Sequence, residues 1–223
     1  MITYFLLILG GMATKIFVFL FIKLEVNGRK NIPKNVTNLI FSSNHEAYID
    51  SWLVMTYMRP LWYFIFHPAA IPWNTPEKKN FFNTWWKKII FSHLRCLPVT
   101  RGGMGPRETE FFSEQVKKKL KKHSILWYFE QTRARNNEIG EPKQGVGWVI
   151  RENLSRVIPI RIRGMDNVWP VDSKLPKVSL FKKIRVHINY GSPLNIDDLL
   201  IEQNNKPTHM AIGQRIKEAV EAL

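Results

Sequence analysis

Leu39-Ile40-Phe41-Ser42-Ser43-Asn44-His45-Glu46-Ala47-Tyr48-Ile49-Asp50 is the stretch on which the fold turns. Its opening apolar run predicts a buried strand over 39–42, Ser42-Ser43-Asn44 the exit from it, and Asp50 to Met58 a helix. His45 then stands at a strand-to-helix corner, where α/β folds place their chemistry. A histidine oriented by a carboxylate can act as a general base on a hydroxyl. On one helix, residues five apart point roughly 140° away from each other. His45 and Asp50 can therefore meet only where the backbone turns between them. The spacing by itself is weak: six histidines and 18 acidic residues in 223 supply about 0.5 such pairs by chance. The plain alternative is a loop histidine beside a helix-capping aspartate.

Outward from this corner, strands alternate with helices. Leu24 to Val26 reads as a short strand before an Asn27-Gly28 turn, and the helix after His45 stops near Arg59-Pro60. Cys96 to Val99, Ile125 to Phe129, Val157 to Ile162 and Ile184 to Tyr190 read as strands. Glu108 to His123, Gln144 to Asn153 and Met210 to Leu223 read as helices. The alternation predicts an α/β fold with a mixed, largely parallel central sheet flanked by helices. No internal repeat or low-complexity linker divides residues 24–223.

The net charge of +15 calls for an anionic partner: nucleic acid, an anionic bilayer or a phosphorylated substrate. Eight tryptophans favour the membrane interface. Residues 62–91 interleave aromatics with Lys78, Lys79, Lys87 and Lys88, and such a segment fits either a bilayer-facing border of an acyl groove or an ordinary core. A nucleic-acid binder would share the charge and the aromatics, but the chain carries no recognisable nucleic-acid-binding motif. Cys96, the single cysteine, excludes an internal disulfide and reads as a core residue rather than a nucleophile.

Residues 1–23 form a membrane anchor in this reading. Met1 to Ile22 is almost wholly apolar and, as a helix, would reach ~33 Å against a ~30 Å hydrocarbon core. Either one transmembrane helix or two interfacial segments broken at Gly10-Gly11 would fit; a buried core helix is the bland alternative. Lys23, Arg29 and Lys30 follow the run and put the remainder on the cytoplasmic side, the inner membrane in a bacterium.

Three further segments carry chemistry. Arg101 sits at a strand exit beside Gly102-Gly103, where a guanidinium can fork onto phosphate oxygens. In Tyr128-Phe129-Glu130-Gln131-Thr132-Arg133, Glu130 could pair with and fix Arg133 while Thr132 and Arg133 donate to an anion. Val157-Ile158-Pro159-Ile160 embeds a proline in an apolar strand, which predicts a bulge or an edge. Each has a bland reading: a solvated arginine, an exposed loop ion pair, a plain edge strand.

Together the four segments resemble the lysophosphatidic-acid acyltransferase family. The family's Asn-His-x4-Asp block is matched by Asn44, His45 and Asp50, and its second block ends in an arginine, here Arg101. Its Phe-Pro-Glu-Gly-Thr-Arg block is read here as Tyr128 to Arg133, with Phe129 for proline and Gln131 for glycine. Its fourth block surrounds a proline, here Pro159, and the resemblance extends over about residues 24–195.

The resemblance implies transfer of an acyl group from acyl-CoA or acyl carrier protein to the hydroxyl of a lysophospholipid. It makes His45 the base, Asp50 its orienting partner, and Asn44, Arg101, Glu130, Gln131, Thr132 and Arg133 the substrate-binding set, with no metal and no cofactor. The expected partners are membrane phospholipids, the thioester donor and the acceptor, with no nucleic acid. Another lyso-lipid or an amino-acid lipid is the alternative acceptor, and a catalytically silent membrane-binding relative the alternative class.

Overall fold

The computed structural model describes residues 2–100, 103, 105–134 and 138–223. Helix α1 (Ile2–Phe21) leads directly into β1 (Ile22–Asn27), followed by β2 (Leu39–Ser43), α2 (Asp50–Met58) and α3 (Leu61–Phe66). Next come β3 (Trp73–Asn74), α4 (Lys78–Phe81), α5 (Trp85–His93), α6 (Pro106–Leu120) and β4 (Ser124–Tyr128). Then follow α7 (Gln144–Asn153), β5 (Arg156–Arg163), α8 (Met165–Val168), β6 (Ile184–Tyr190), α9 (Asp197–Leu200) and α10 (Lys206–Glu221).

The six strands form one sheet in the order β1-β6-β5-β2-β4-β3. All neighbours are parallel except β5 and β6. This is the mixed, largely parallel sheet that the alternation of elements predicts. Residues of β2 alternate between two cores, as side chains on a pleated strand must. Leu39 and Phe41 join Leu126, Ile158, Leu53 and Val54 under α1, α2 and α3. Ile40 joins Ile125, Trp127 and Val157 under α6, α7 and α10. Both faces of the sheet are covered, so its central strands are mostly apolar: Leu39-Ile40-Phe41 in β2, Ile125-Leu126-Trp127 in β4 and Val157 to Ile160 in β5.

Several boundaries differ from the sequence reading. The 96–99 segment forms only the isolated bridges Asn74↔Cys96 and Glu77↔Val99. The outer neighbour of β4 is instead the two-residue β3, too short to leave an alternating pattern. The last helix starts four residues before Met210, at Lys206, because Asn205 caps it: its Oδ1 accepts from Thr208 N at 3.1 Å.

Pro159 marks neither a bulge nor an edge. It lies inside β5, paired with Ser42 of β2, between two neighbouring strands. In an extended strand a residue's N–H and C=O lean to the same side, and the Pro159 carbonyl accepts from Gly191 N at 2.8 Å. The missing donor thus faces the β6 side just beyond the last paired residues, Ile160 and Tyr190. The ladder to β2 loses nothing.

Gly10-Gly11 does not break α1. The pair instead lets the helix pack closely, since a Cβ on Gly10 would stand 2.2 Å from the Trp52 ring. Leu7, Gly11, Thr14 and Val18 face the domain, while Ile2, Phe5, Leu9, Met12, Ile16 and Phe19 form an exposed stripe. That spacing is one face of a helix.

Candidate active site

Sheet register assembles the site. Ser43 of β2 is aligned with Tyr128 of β4 and with Ile160 of β5. Two residues beyond each strand position come His45, Glu130 and Ile162, side by side. Glu130 Oε1 accepts from His45 N at 3.1 Å, and Ala134 N donates to His45 O at 2.6 Å. On the other flank, Asn44 makes two 2.8 Å bonds to Ile162, accepting from its N–H and donating to its carbonyl. The backbone around His45 is thereby clamped between both neighbouring strands.

The turn from His45 to Asp50 closes on a single carboxylate oxygen. Asp50 Oδ2 accepts from Glu46 N at 2.7 Å and Ala47 N at 2.8 Å, and lies 2.9 Å from His45 Nδ1. Asp50 is fully buried. With Nδ1–H donated to the carboxylate, His45 Nε2 is left with its lone pair. The other face of the imidazole is set by Tyr128, whose ring stacks on it at 4.0 Å and 17°. Tyr128 Oη in turn lies 3.0 Å from Ser51 Oγ, at the start of α2.

Two buried carboxyls brace the loops. Glu46 Oε2 accepts from Met165 N at 2.7 Å and ties the corner to the start of α8. Burial, and next the nearby Asp50, pushes its pKa up to about 8. Glu130 Oε2 accepts from Gly140 N at 2.8 Å, and burial raises its pKa to about 7 despite the two backbone donors.

His45, Tyr48, Ser51, Tyr128, Gln131 and Arg133 share the wall of a cavity of about 230 Å³ that continues past Cys96, Trp52, Phe81, Phe91, Leu94 and Leu7. The lining mixes these apolar side chains with polar ones, Asn74, Thr75, Glu77 and Asn80 among them. Burial holds the Cys96 thiol up at about 12, so it is no nucleophile at neutral pH.

Of the residues the sequence singled out, His45, Gln131 and Arg133 line this cavity. Asn44, Glu130, Thr132 and Pro159 do not. The expected Glu130–Arg133 pair does not form: Glu130 serves the backbone, while Arg133 Nη2 donates to Val171 O at 3.2 Å and its guanidinium lies 3.7 Å from the Tyr48 ring centre. Arg133 Nη1 is buried without a hydrogen-bond partner among the described residues. Arg101 lies outside the described residues. Gln131 holds a left-handed backbone (φ +57°), and its Nε2 points at Gly145, where a Cβ would come within 2.7 Å. Tyr48 and Ser51 were missed in the sequence; their only signal was their position between His45 and the first turn of α2. No cluster of three metal-ligating side chains occurs among the described residues.

The sequence profile of the Acyltransferase family matches residues 23–163. The chain belongs to the acyltransferase family. It is 23% identical over 162 residues to a chloroplastic 1-acyl-sn-glycerol-3-phosphate acyltransferase of Arabidopsis thaliana, and 22% to one of Brassica napus. The match takes in 70% of this chain but spans only 40% and 42% of those relatives' length. The crystal structure of the 1-acyl-sn-glycerophosphate acyltransferase PlsC from Thermotoga maritima superposes with a TM-score of 0.65 at 16% identity. That alignment covers 98% of this chain and 78% of PlsC. The acyltransferase therefore shares its fold, from α1 to α10, with that enzyme.

Proposed function

We propose that this acyltransferase moves a fatty acyl group from a thioester, acyl-CoA or acyl carrier protein, to the free hydroxyl of a lysophospholipid. The acceptor is 1-acylglycerol-3-phosphate, and the product phosphatidic acid. The observation that carries this reading is one cavity wall holding both a carboxylate-oriented histidine and an arginine whose Nη1 has no partner among the described residues. The relatives' names supply the acceptor class.

In this scheme His45 Nε2 takes the proton of the acceptor hydroxyl as its oxygen attacks the thioester carbonyl carbon. The tetrahedral intermediate collapses with loss of the thiolate, which receives the proton back from the imidazolium. Asp50 stays ionised throughout and keeps the proton of the ring on Nδ1. Arg133, together with Arg101, holds the acceptor phosphate and so fixes its hydroxyl beside His45. The apolar lining, Leu7, Trp52, Phe81, Phe91 and Leu94, takes acyl chain. No side-chain nucleophile and no resident cofactor enters.

The chain is read as membrane-associated through α1, whose mean hydropathy of 2.0 suits a bilayer. The helix is docked along its length, from Leu7 to Val18, onto the domain. Such docking favours a helix lying in one leaflet, with its apolar stripe outward, over one that crosses the bilayer. Trp62, Phe66, Trp85 and Ile89 are exposed on α3 and α5, the helices that contact α1, and add to the exposed apolar surface. Gln131 supports a second acceptor, a lyso-lipid or amino-acid lipid with a polar uncharged headgroup, because it adds a polar uncharged residue to the cavity wall.

The test is acyl transfer by membranes containing this chain, given lysophosphatidic acid with each thioester donor, beside His45→Ala. Activity that is lost in the variant supports the scheme. Turnover retained in the variant would end the role of His45, and activity only on other lyso-lipids would favour the second acceptor.

A further inference from the structure

We propose that Arg95, Lys119 and Lys122, with His123 and Tyr4, form a binding site for the phosphate of an anionic phospholipid, separate from the catalytic cavity. Arg95 is 4% exposed and holds a left-handed backbone, φ +54°. Its Nη1 donates to Ile71 O at 2.6 Å and lies 3.3 Å from His123 Nδ1. Nη2 donates to Tyr4 Oη at 3.4 Å. The guanidinium carbon stands 5.5 Å from the Tyr4 ring centre and 5.9 Å from that of Trp73. Lys119 Nζ sits 3.8 Å from the same Trp73 ring centre, and His123 Nδ1 is 3.0 Å from Ala69 O.

The cluster is one-signed. No carboxylate pairs with Arg95, Lys119, Lys122 or His123 among the described residues. Burial first, and then the neighbouring cations Lys118 and Arg95, lower the pKa of Lys119. His123 is likewise depressed, by burial and then by Arg95, Lys119 and Lys122, against the Ala69 carbonyl. Aromatic faces and carbonyls soften the removal of a guanidinium from water, but they do not neutralise it. A phosphate would, since its oxygens accept from several cations together.

Position selects the source of that phosphate. Tyr4 lies one helical turn before Leu7, on the helix whose outer stripe begins with Ile2, Phe5 and Leu9. The cations therefore rim the apolar face at the N-terminal end of α1, at the level of the headgroups of any bilayer receiving that stripe. Within the lysine run 117–122, Lys119 turns in toward Trp73, while Lys117, Lys118, Lys121 and Lys122 are exposed, Lys122 within electrostatic reach of His123. The site rests on the membrane-facing reading of α1.

Sedimentation with vesicles tests it without turnover, using phosphatidylcholine alone and phosphatidylcholine mixed with phosphatidylglycerol. The native chain binds the mixed vesicles more tightly. Lys119→Ala with Lys122→Ala removes most of that gain, about 30-fold for two lysines at a lipid surface. Lys117→Ala with Lys121→Ala, an equal loss of charge, leaves it largely in place. Equal loss in the two double variants would overturn the site in favour of a diffuse basic field. A Lys119/Lys122 variant that binds both vesicles as the native chain does, but loses turnover only with acyl carrier protein, would make the patch a carrier-docking surface instead. Binding by the native chain that ignores lipid charge sinks the site alone; no binding to either vesicle sinks the membrane reading with it.

Discussion

Asp50 Oδ2 accepts two backbone N–H groups from residues 46 and 47 while lying 2.9 Å from His45 Nδ1. One oxygen thus shapes the corner and orients the base it carries. Asp50→Asn replaces that acceptor by an amide that can also donate. We expect kcat to fall roughly 10²–10⁴-fold, with the acceptor KM little changed. Steady-state kinetics against acceptor concentration separates this from a binding defect, which would raise KM alone.

Tyr128 supports His45 by stacking, and its hydroxyl only reaches Ser51. Tyr128→Phe keeps the ring and loses one hydrogen bond of about 1 kcal/mol, so activity should fall no more than about fivefold. Tyr128→Ala removes the face against which the imidazole packs and should cost far more. Comparable losses in the two variants would place the function in the hydroxyl.

The raised carboxyls set a pH dependence of stability. Glu46 and Glu130 have folded pKa values of about 8 and 7, above the ordinary 4.5. The folded chain therefore keeps protons that the unfolded chain releases. This contribution is complete below pH 4.5 and is lost as pH rises through 7 and 8. Glu46→Gln, which keeps an acceptor for Met165 N, should flatten the fall. At pH 8 it should raise Tm by several degrees, at about 2–4 °C per kcal/mol. Thermal melts of both proteins from pH 5 to 8.5 check this; parallel curves would refute it.

Gln131 and Gly145 occupy each other's space. Gly145→Ala, within α7, gains roughly 0.5–1 kcal/mol of helix propensity but pushes the Gln131 amide into the cavity. The acceptor KM should rise in that variant and recover in Gln131→Gly with Gly145→Ala. Relief of the left-handed backbone at Gln131 should add up to about 1 kcal/mol more stability. Kinetic effects that simply add in the double variant would show that the two positions do not communicate.

Trp85 and Trp86 are 75% and 47% exposed on a helix without a buried residue. Replacing both with serine should weaken partitioning into vesicles while leaving Tm nearly unchanged. An unchanged partition would remove α5 from the membrane face.

The sequence by itself determined the alternation of elements, the buried strand at 39–42 and the turn that brings His45 to Asp50. All of these are local: an apolar run and a spacing that no helix can satisfy. It also carried the family's blocks. Tertiary structure decided the rest, because it depends on which strands become neighbours. Pairing β4 and β5 on either side of β2 in this register turns Glu130 into a backbone clamp for His45 rather than a partner for Arg133. The same order hides the missing N–H of Pro159 beyond the end of β6. Arg95 looked like any charged residue in the chain. Only the meeting of α1, β3 and α6, distant in sequence, buries it, with no counter-charge among the described residues.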